Sequence, residues 1–135
     1  ARPHNENDLK IYKLVLRAKK KGKNLRYIDI PEELQTHSNT TSFLDRYKAL
    51  DYGSVSHTVV AHIAKDGHYY IHPDLRQNRS ITVREAARIQ GFPDDFYFEH
   101  SPTAAFKQIG NAVPPILSKK IAMGVIDFLR GQKGE

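Results

Sequence analysis

Three stretches of this chain combine residue types and spacings suited to chemistry. The first, SHTVVAHIAKDGHYYIHP (residues 56–73), holds four histidines, His57, His62, His68 and His72. Clustered histidines raise the question of a metal site. Register decides it. If Asp66 and Gly67 alone form a turn, His62 faces away from His68 and His72; if Lys65 joins the loop, all three share a face. No HExxH-type spacing accompanies them, and no metal site is expected. The second stretch, FLDRYKAL (residues 43–50), interleaves aromatics with Arg46 and Lys48. Such cations suit phosphates and base edges of nucleic acid. The same pattern also fits a surface helix with Phe43, Leu44 and Tyr47 in the core. The third pairs TVREAARIQGFPDDF (residues 82–96) with QIGNAVPP (residues 108–115). Arg84 and Arg88 stand four apart and share a helical face. Asn111 offers amide donors and acceptors to a polar ligand, or serves a helix-opening turn that tolerates an awkward backbone.

The chain has 135 residues and no cysteine, so it holds no thiolate nucleophile, thiolate metal ligand or disulfide. Its formal net charge is +6 and its pI about 9.6. That balance suits an anionic partner, nucleic acid first, and equally a merely basic domain. The run RAKKKGK (residues 17–23) is read as a helix end whose lysines complement the dipole, with phosphate binding as the alternative. No apolar run is long enough to span a bilayer and no signal-peptide pattern opens the chain, so a cytoplasmic location is expected, nucleoid-associated if the source is prokaryotic. ARPHNENDLK begins without Met and with polar residues, as a truncated or processed start would.

The elements that must position these residues follow from periodicity and punctuation. Apolar residues recur at helical spacing from Asp8 to Lys21, with Asn7 or Asp8 as cap and Gly22 as stop. QTHSNTTS (residues 35–42) reads as a loop. Two runs of β-formers around Asp66-Gly67 predict a hairpin. Thr82 and Glu85 form a capping-box pattern for a helix ended by Gly91 and Pro93. Ser101-Pro102 opens a second helix, which Gly110 ends in a tight turn. Pro114-Pro115 opens a third, reaching about Arg130, with Ile116, Leu117, Ile121, Val125, Ile126 and Leu129 on its apolar face. The expected class is α+β: a small irregular β unit with a hairpin, one N-terminal helix and three C-terminal helices, without a Rossmann-like sheet.

TVREAARIQGFPDDF followed by QIGNAVPP resembles the last two motifs of DNA cytosine-5 methyltransferases, and SHTVVAHIAKDGHYYIHP resembles the end of that family's target-recognition region. The likeness covers about the last 80 residues, from Ser56 on. It implies an enzyme in which a thiolate adds to carbon 6 of a flipped cytosine, a glutamate supports the ring, and S-adenosylmethionine supplies a methyl group to carbon 5. The family's Pro-Cys, Glu-Asn-Val, Gln-x-Arg-x-Arg and Phe-x-Gly-x-Gly are all missing here. The chain therefore resembles the C-terminal portion or the small subunit of such an enzyme, inactive without a catalytic domain or large subunit and carrying no catalytic residue of its own.

Residue by residue, the resemblance places Asn111, Ala112 and Val113 beside the methyl donor. Thr58 matches the Thr of a Thr-Leu/Ile pair, with Val59 in place of Leu or Ile, and would touch the DNA backbone beside the flipped base. Arg46 and Lys48 join the DNA contacts by position. Arg84, Glu85 and Arg88 would tie the recognition region to the catalytic domain through ion pairs, while Arg88 could instead reach a phosphate. Phe92 and Phe96 are expected in the core. Residues 1–79 thus form a recognition region and 80–135 a helical segment.

A stand-alone, non-catalytic DNA-binding module is the alternative, and an unrelated histidine-dependent metal hydrolase a more distant one. The family's last helix packs on the cofactor-binding domain, so its apolar face here seeks cover. The isolated chain is expected to self-associate or to order only in part. A monodisperse monomer in light scattering would refute this.

Overall fold

Helix α1 (Glu6–Lys20) forms because Ile11, Tyr12, Val15 and Leu16 make one buried stripe, opposite a solvated basic face. Asn5, rather than Asn7 or Asp8, caps it, its side chain accepting from the Asp8 N–H at 2.7 Å. The other helices of the computed structural model, which describes residues 2–131, are α2 (Val83–Ile89), α3 (Pro102–Asn111) and α4 (Pro115–Gly131). Thr82 and Glu85 close a reciprocal capping box on α2, and Gly91, at φ +79°, turns the chain away after it. Ser101 caps α3 with Pro102 in its first turn. Short 3₁₀ turns occupy Tyr27–Asp29, Glu32–Leu34 and Ala61–Ala64.

The expected α+β class is wrong: the described residues are helical, without a strand or sheet. The hairpin around Asp66-Gly67 does not form. Ala61–Ala64, its first arm, winds instead into a 3₁₀ turn whose buried Ile63 faces α3. Its second arm finds other partners. Ile71 forms isolated bridges, parallel to Ala49 and antiparallel to Ser80. Tertiary packing has overridden β propensity, which is largely a measure of fit to neighbours.

The short extended segments build a wall between two cores. Side chains alternate along extended backbone, so Ala49 and Ile71 face one cluster while Leu50 and Tyr70 face the other. On one side lie α1, Tyr27, Ile30 and Tyr47; on the other α2, α3, Val59 and Ile63. Of the residues that the surface-helix alternative would bury, Tyr47 is in the core, whereas Phe43 is 75% exposed. Helix α4 has no buried residue, and Ile116, Leu117, Ile121, Val125, Ile126 and Leu129 are all exposed. No helix among the described residues is long and apolar enough to cross a membrane.

The polar N-terminal residues, which the sequence leaves unexplained, join the two cores. The Arg2 guanidinium lies over the Phe106 ring, 4.4 Å from its centroid, and donates to the Ile63 carbonyl at 2.5 Å. The Ser80 N–H donates to His4 Nε2 at 3.1 Å. An N–H can only donate, so Nε2 is the acceptor and the ring proton of neutral His4 sits on Nδ1, which faces the Tyr12 hydroxyl. Tyr12 in turn lies 2.8 Å from His68 Nδ1.

Burial lowers the pKa of His4, and likewise of His57 and His72, below the ordinary 6.5. The unfolded chain then binds protons more readily than the folded one. The stability these neutral rings contribute is complete above pH 6.5 and is lost as pH falls through their lowered values. Thermal midpoints should therefore fall as buffers are taken from neutral to mildly acidic pH. His4→Gln, which keeps an acceptor for Ser80 without the titration, should flatten that slope in differential scanning calorimetry.

Candidate functional site

Arg46, Lys48 and Thr58, drawn from two separate stretches, line one open cleft of about 750 Å³. Arg46 lies over the Tyr27 ring at 4.9 Å and donates to the carbonyls of Asn39 at 2.9 Å and Ser42 at 3.2 Å. Lys48 lies 5.3 Å from the centroid of Tyr69. The Tyr69 hydroxyl donates to Asp45, which pushes the phenol up to about 12. Thr58 is exposed, and its backbone is fixed by Tyr70, whose hydroxyl donates to the Thr58 carbonyl at 3.0 Å and accepts from the Val60 N–H at 3.2 Å.

Histidines share this cleft. His57 stacks on Tyr70 at 4.9 Å, and its Nε2–H donates to the Tyr69 carbonyl at 2.6 Å. Burial keeps His57 neutral at pH 7, which leaves its Nδ1 as an acceptor. His62 and His68 also line the cleft, whereas His72 sits 3.7 Å from Glu85. Among the described residues no group of three or more potential ligands is placed to hold a metal ion. The carboxylates in the cleft are engaged: Asp45 by Tyr69, and Asp66 by the His68 N–H at 3.1 Å.

The loop bordering the cleft hangs from one buried residue. Tyr27 donates its N–H to the Leu44 carbonyl at 2.6 Å and accepts on its hydroxyl from the His37 N–H at 2.7 Å. Between these feet Asn39 Oδ1 accepts from the N–H groups of Thr41 and Ser42, at 3.1 and 2.9 Å.

Arg84, Glu85 and Arg88 bond to partners close by in the chain. Glu85 takes a bidentate pair from Arg79 at 2.7 and 2.8 Å, and that guanidinium, foremost, holds its carboxyl down to about 2. Arg84 donates to the carbonyls of Pro93 and Phe96, and Arg88 pairs with Asp94 at 2.7 and 3.0 Å, so both fold the next loop back on α2. Phe92 is half-buried against the core. Phe96 is 42% exposed, short of the full burial expected of it, and the two rings cluster with buried Phe98.

Asn111, Ala112 and Val113 leave the end of α3, with Asn111 and Val113 exposed and Ala112 half-buried. Gln90, which the sequence reading passed over, fixes this exit. It is only 7% exposed, and its Nε2 donates to the carbonyls of Ile109 at 3.1 Å and Ala112 at 3.2 Å. The signal was present as a glutamine between Ile89 and Gly91-Phe92, where an amide must find partners if it is buried. Gly110 does not end α3 in a turn; the helix runs on to Asn111. Its role is close approach. A Cβ there would stand 2.7 Å from the Val60 carbonyl oxygen and 2.9 Å from the Ala61 Cα. The end of α3 and the edge of the cleft are thereby locked backbone to backbone.

The family model for the C-5 cytosine-specific DNA methylase matches residues 2–127. The chain is 53% identical over 131 residues to the type II methyltransferase M.Bpa9945I of Bacillus paralicheniformis, covering 97% of this chain and 29% of that protein. It is 42% identical over 92 residues to the type II methyltransferase M.AgeI of Thalassovita gelatinovora, 68% of this chain and 21% of the relative. Over 47 residues it is 57% identical to the DNA (cytosine-5)-methyltransferase 1B of Oryza sativa subsp. japonica, 35% of this chain and 3% of the relative. The chain thus spans less than a third of the length of these relatives. No solved structure matches it.

Gly110→Ala must push the added methyl against backbone that cannot rotate aside. The expected loss is about 2 kcal/mol, read from the urea midpoint, and Gly110→Ser should cost at least as much. A wild-type midpoint for Gly110→Ala would show that the contact is loose.

Proposed function

Because the chain belongs to the C-5 cytosine-specific DNA methylase family, we propose that it supplies DNA recognition and one wall of the methyl-donor site of a DNA cytosine-5 methyltransferase. It serves as the C-terminal portion or small subunit of that enzyme. The observation that carries this reading is the convergence of Arg46, Lys48 and Thr58 on one cleft, whose Val60 edge is locked through Gly110 to the segment Asn111–Val113.

In the cleft, Arg46 and Lys48 balance phosphate charge, and the Thr58 hydroxyl takes a phosphate oxygen beside the target base. The overall charge of +6 favours the approach of DNA. Residues 1–79 carry this recognition, and residues 80–135 carry the helices that dock on the catalytic domain. Glu85, paired with Arg79, joins the two parts, while Arg84 and Arg88 shape the loop between α2 and α3.

Members of this family use S-adenosylmethionine, which supplies the methyl group when bound. An exposed amide on Asn111 beside the exposed apolar Val113 fits one wall of a site for a molecule with polar and apolar parts. Gln90 keeps that wall in place by holding the backbone on both sides of it. The chain has no cysteine, so the thiolate that attacks carbon 6 comes from another part of the enzyme. The apolar face of α4, with Ile116 63% and Leu129 54% exposed, favours this reading over a stand-alone module, because a module with no partner has no use for such a face.

Titration of a labelled mixed-sequence duplex, followed by anisotropy at several salt concentrations, tests the recognition role. Lys48→Ala should weaken binding uniformly across sequences and reduce the salt slope by about one. A duplex that fails to bind the wild-type chain at low salt would sink the proposal.

A further inference from the structure

The proposed cleft carries an aromatic residue in a conformation that packing alone does not explain. Phe43 lines the cleft, is 75% exposed, and sits at φ +55°. A left-handed backbone is rare for a bulky side chain, and it persists only where the surroundings impose it. Here they do. Asn39 Oδ1 holds the N–H groups of Thr41 and Ser42, Arg46 grips the carbonyls of Asn39 and Ser42, and the Leu44 carbonyl is taken by Tyr27. Two sets of bonds brace the backbone before Phe43 and a third braces it immediately after. The side chain at their centre is exposed to solvent and lines the same cleft as Arg46.

An apolar ring held out at the edge of a cleft that presents Arg46 and Lys48 matches one kind of surface, the stacked bases of a polyanion. Aromatic side chains stack on base faces, and apolar wedges enter base steps while neighbouring cations hold the phosphates. Bracing the backbone that carries the ring lowers the ordering cost of placing it. We propose that Phe43 is a wedge that stacks on the bases of duplex DNA held in the cleft. The proposal rests on the DNA-binding reading above and adds to it a residue that reads bases rather than phosphates.

The chain contains no tryptophan, so Phe43→Trp introduces a single indole whose emission is quenched on stacking with a base. The experiment titrates Phe43→Trp with the mixed-sequence duplex, following emission and, on a labelled duplex, anisotropy. Val55→Trp, at a position 94% exposed and outside the cleft lining, is the control. Phe43→Ala is titrated alongside. Saturable quenching of Phe43→Trp but not of Val55→Trp is expected. Phe43→Ala should bind about tenfold more weakly, with its salt slope unchanged because no phosphate contact is lost. Binding by anisotropy with unchanged emission of Phe43→Trp overturns the wedge and leaves the cleft's DNA role standing. So does Phe43→Ala binding with wild-type affinity. A wild-type chain that binds no duplex overturns both.

Discussion

The contact between Gly110 and the backbone at Val60 and Ala61 holds the site together. It brings a helix against a 3₁₀ turn at a separation that only hydrogen at the α-carbon permits. Asn111, Ala112 and Val113, proposed as the cofactor wall, lie just beyond one side of that contact, and the Thr58 edge of the cleft lies just before the other. Gln90 makes the junction directional. By occupying the Ile109 and Ala112 carbonyls it leaves Asn111, between them, facing outward. The junction keeps the edge of the cleft and the segment Asn111–Val113 at a fixed separation, as the roles proposed for them in gripping DNA and walling the methyl donor require.

Around this junction the fold does without a sheet. Ala49-Leu50 and Tyr70-Ile71 each point one side chain into each core, so a thin wall of extended chain serves two hydrophobic clusters. A wall so short has few ladder bonds, and the polar N-terminal residues reinforce it. Arg2 reaches the α3 side, while His4 bonds Ser80 and faces Tyr12 of α1. These groups are half-buried, and the bonds of Arg2 to Ile63 and of His4 to Ser80 offset part of the cost of taking them from water.

How much of this was legible in the sequence depended on how local each feature is. The Thr82–Glu85 box, the Ser101-Pro102 opening and the stripe of α1 involve neighbours a few residues apart, and their patterns name them directly. The segment at residues 56–73 did not read correctly. Its β-branched and aromatic residues alternate like a hairpin, yet their partners are α3, Ala49 and Ser80, which no local window contains. Gly110 looks like a turn residue because a glycine near a helix end usually is one, and what it approaches, Val60 and Ala61, is about fifty residues away. Phe43 fits either a core or an exposed position on its residue type, because aromatic character alone does not reveal the backbone that turns it outward. The convergence of Arg46, Lys48 and Thr58 was assembled from position and resemblance. Its physical basis, the Tyr69 and Tyr70 rings that fix Lys48 and the backbone at Thr58, is tertiary.

Tyr27 fastens both feet of the loop from His37 to Leu44, by its hydroxyl at one end and its N–H at the other. The loop therefore contributes little to either core and is attached like a cartridge to a clasp. Its interior can lengthen, shorten or change side chains while the clasp, the wall and the Gly110 junction remain as they are. Under the proposed DNA-recognition role, such an attachment would make specificity an exchangeable part.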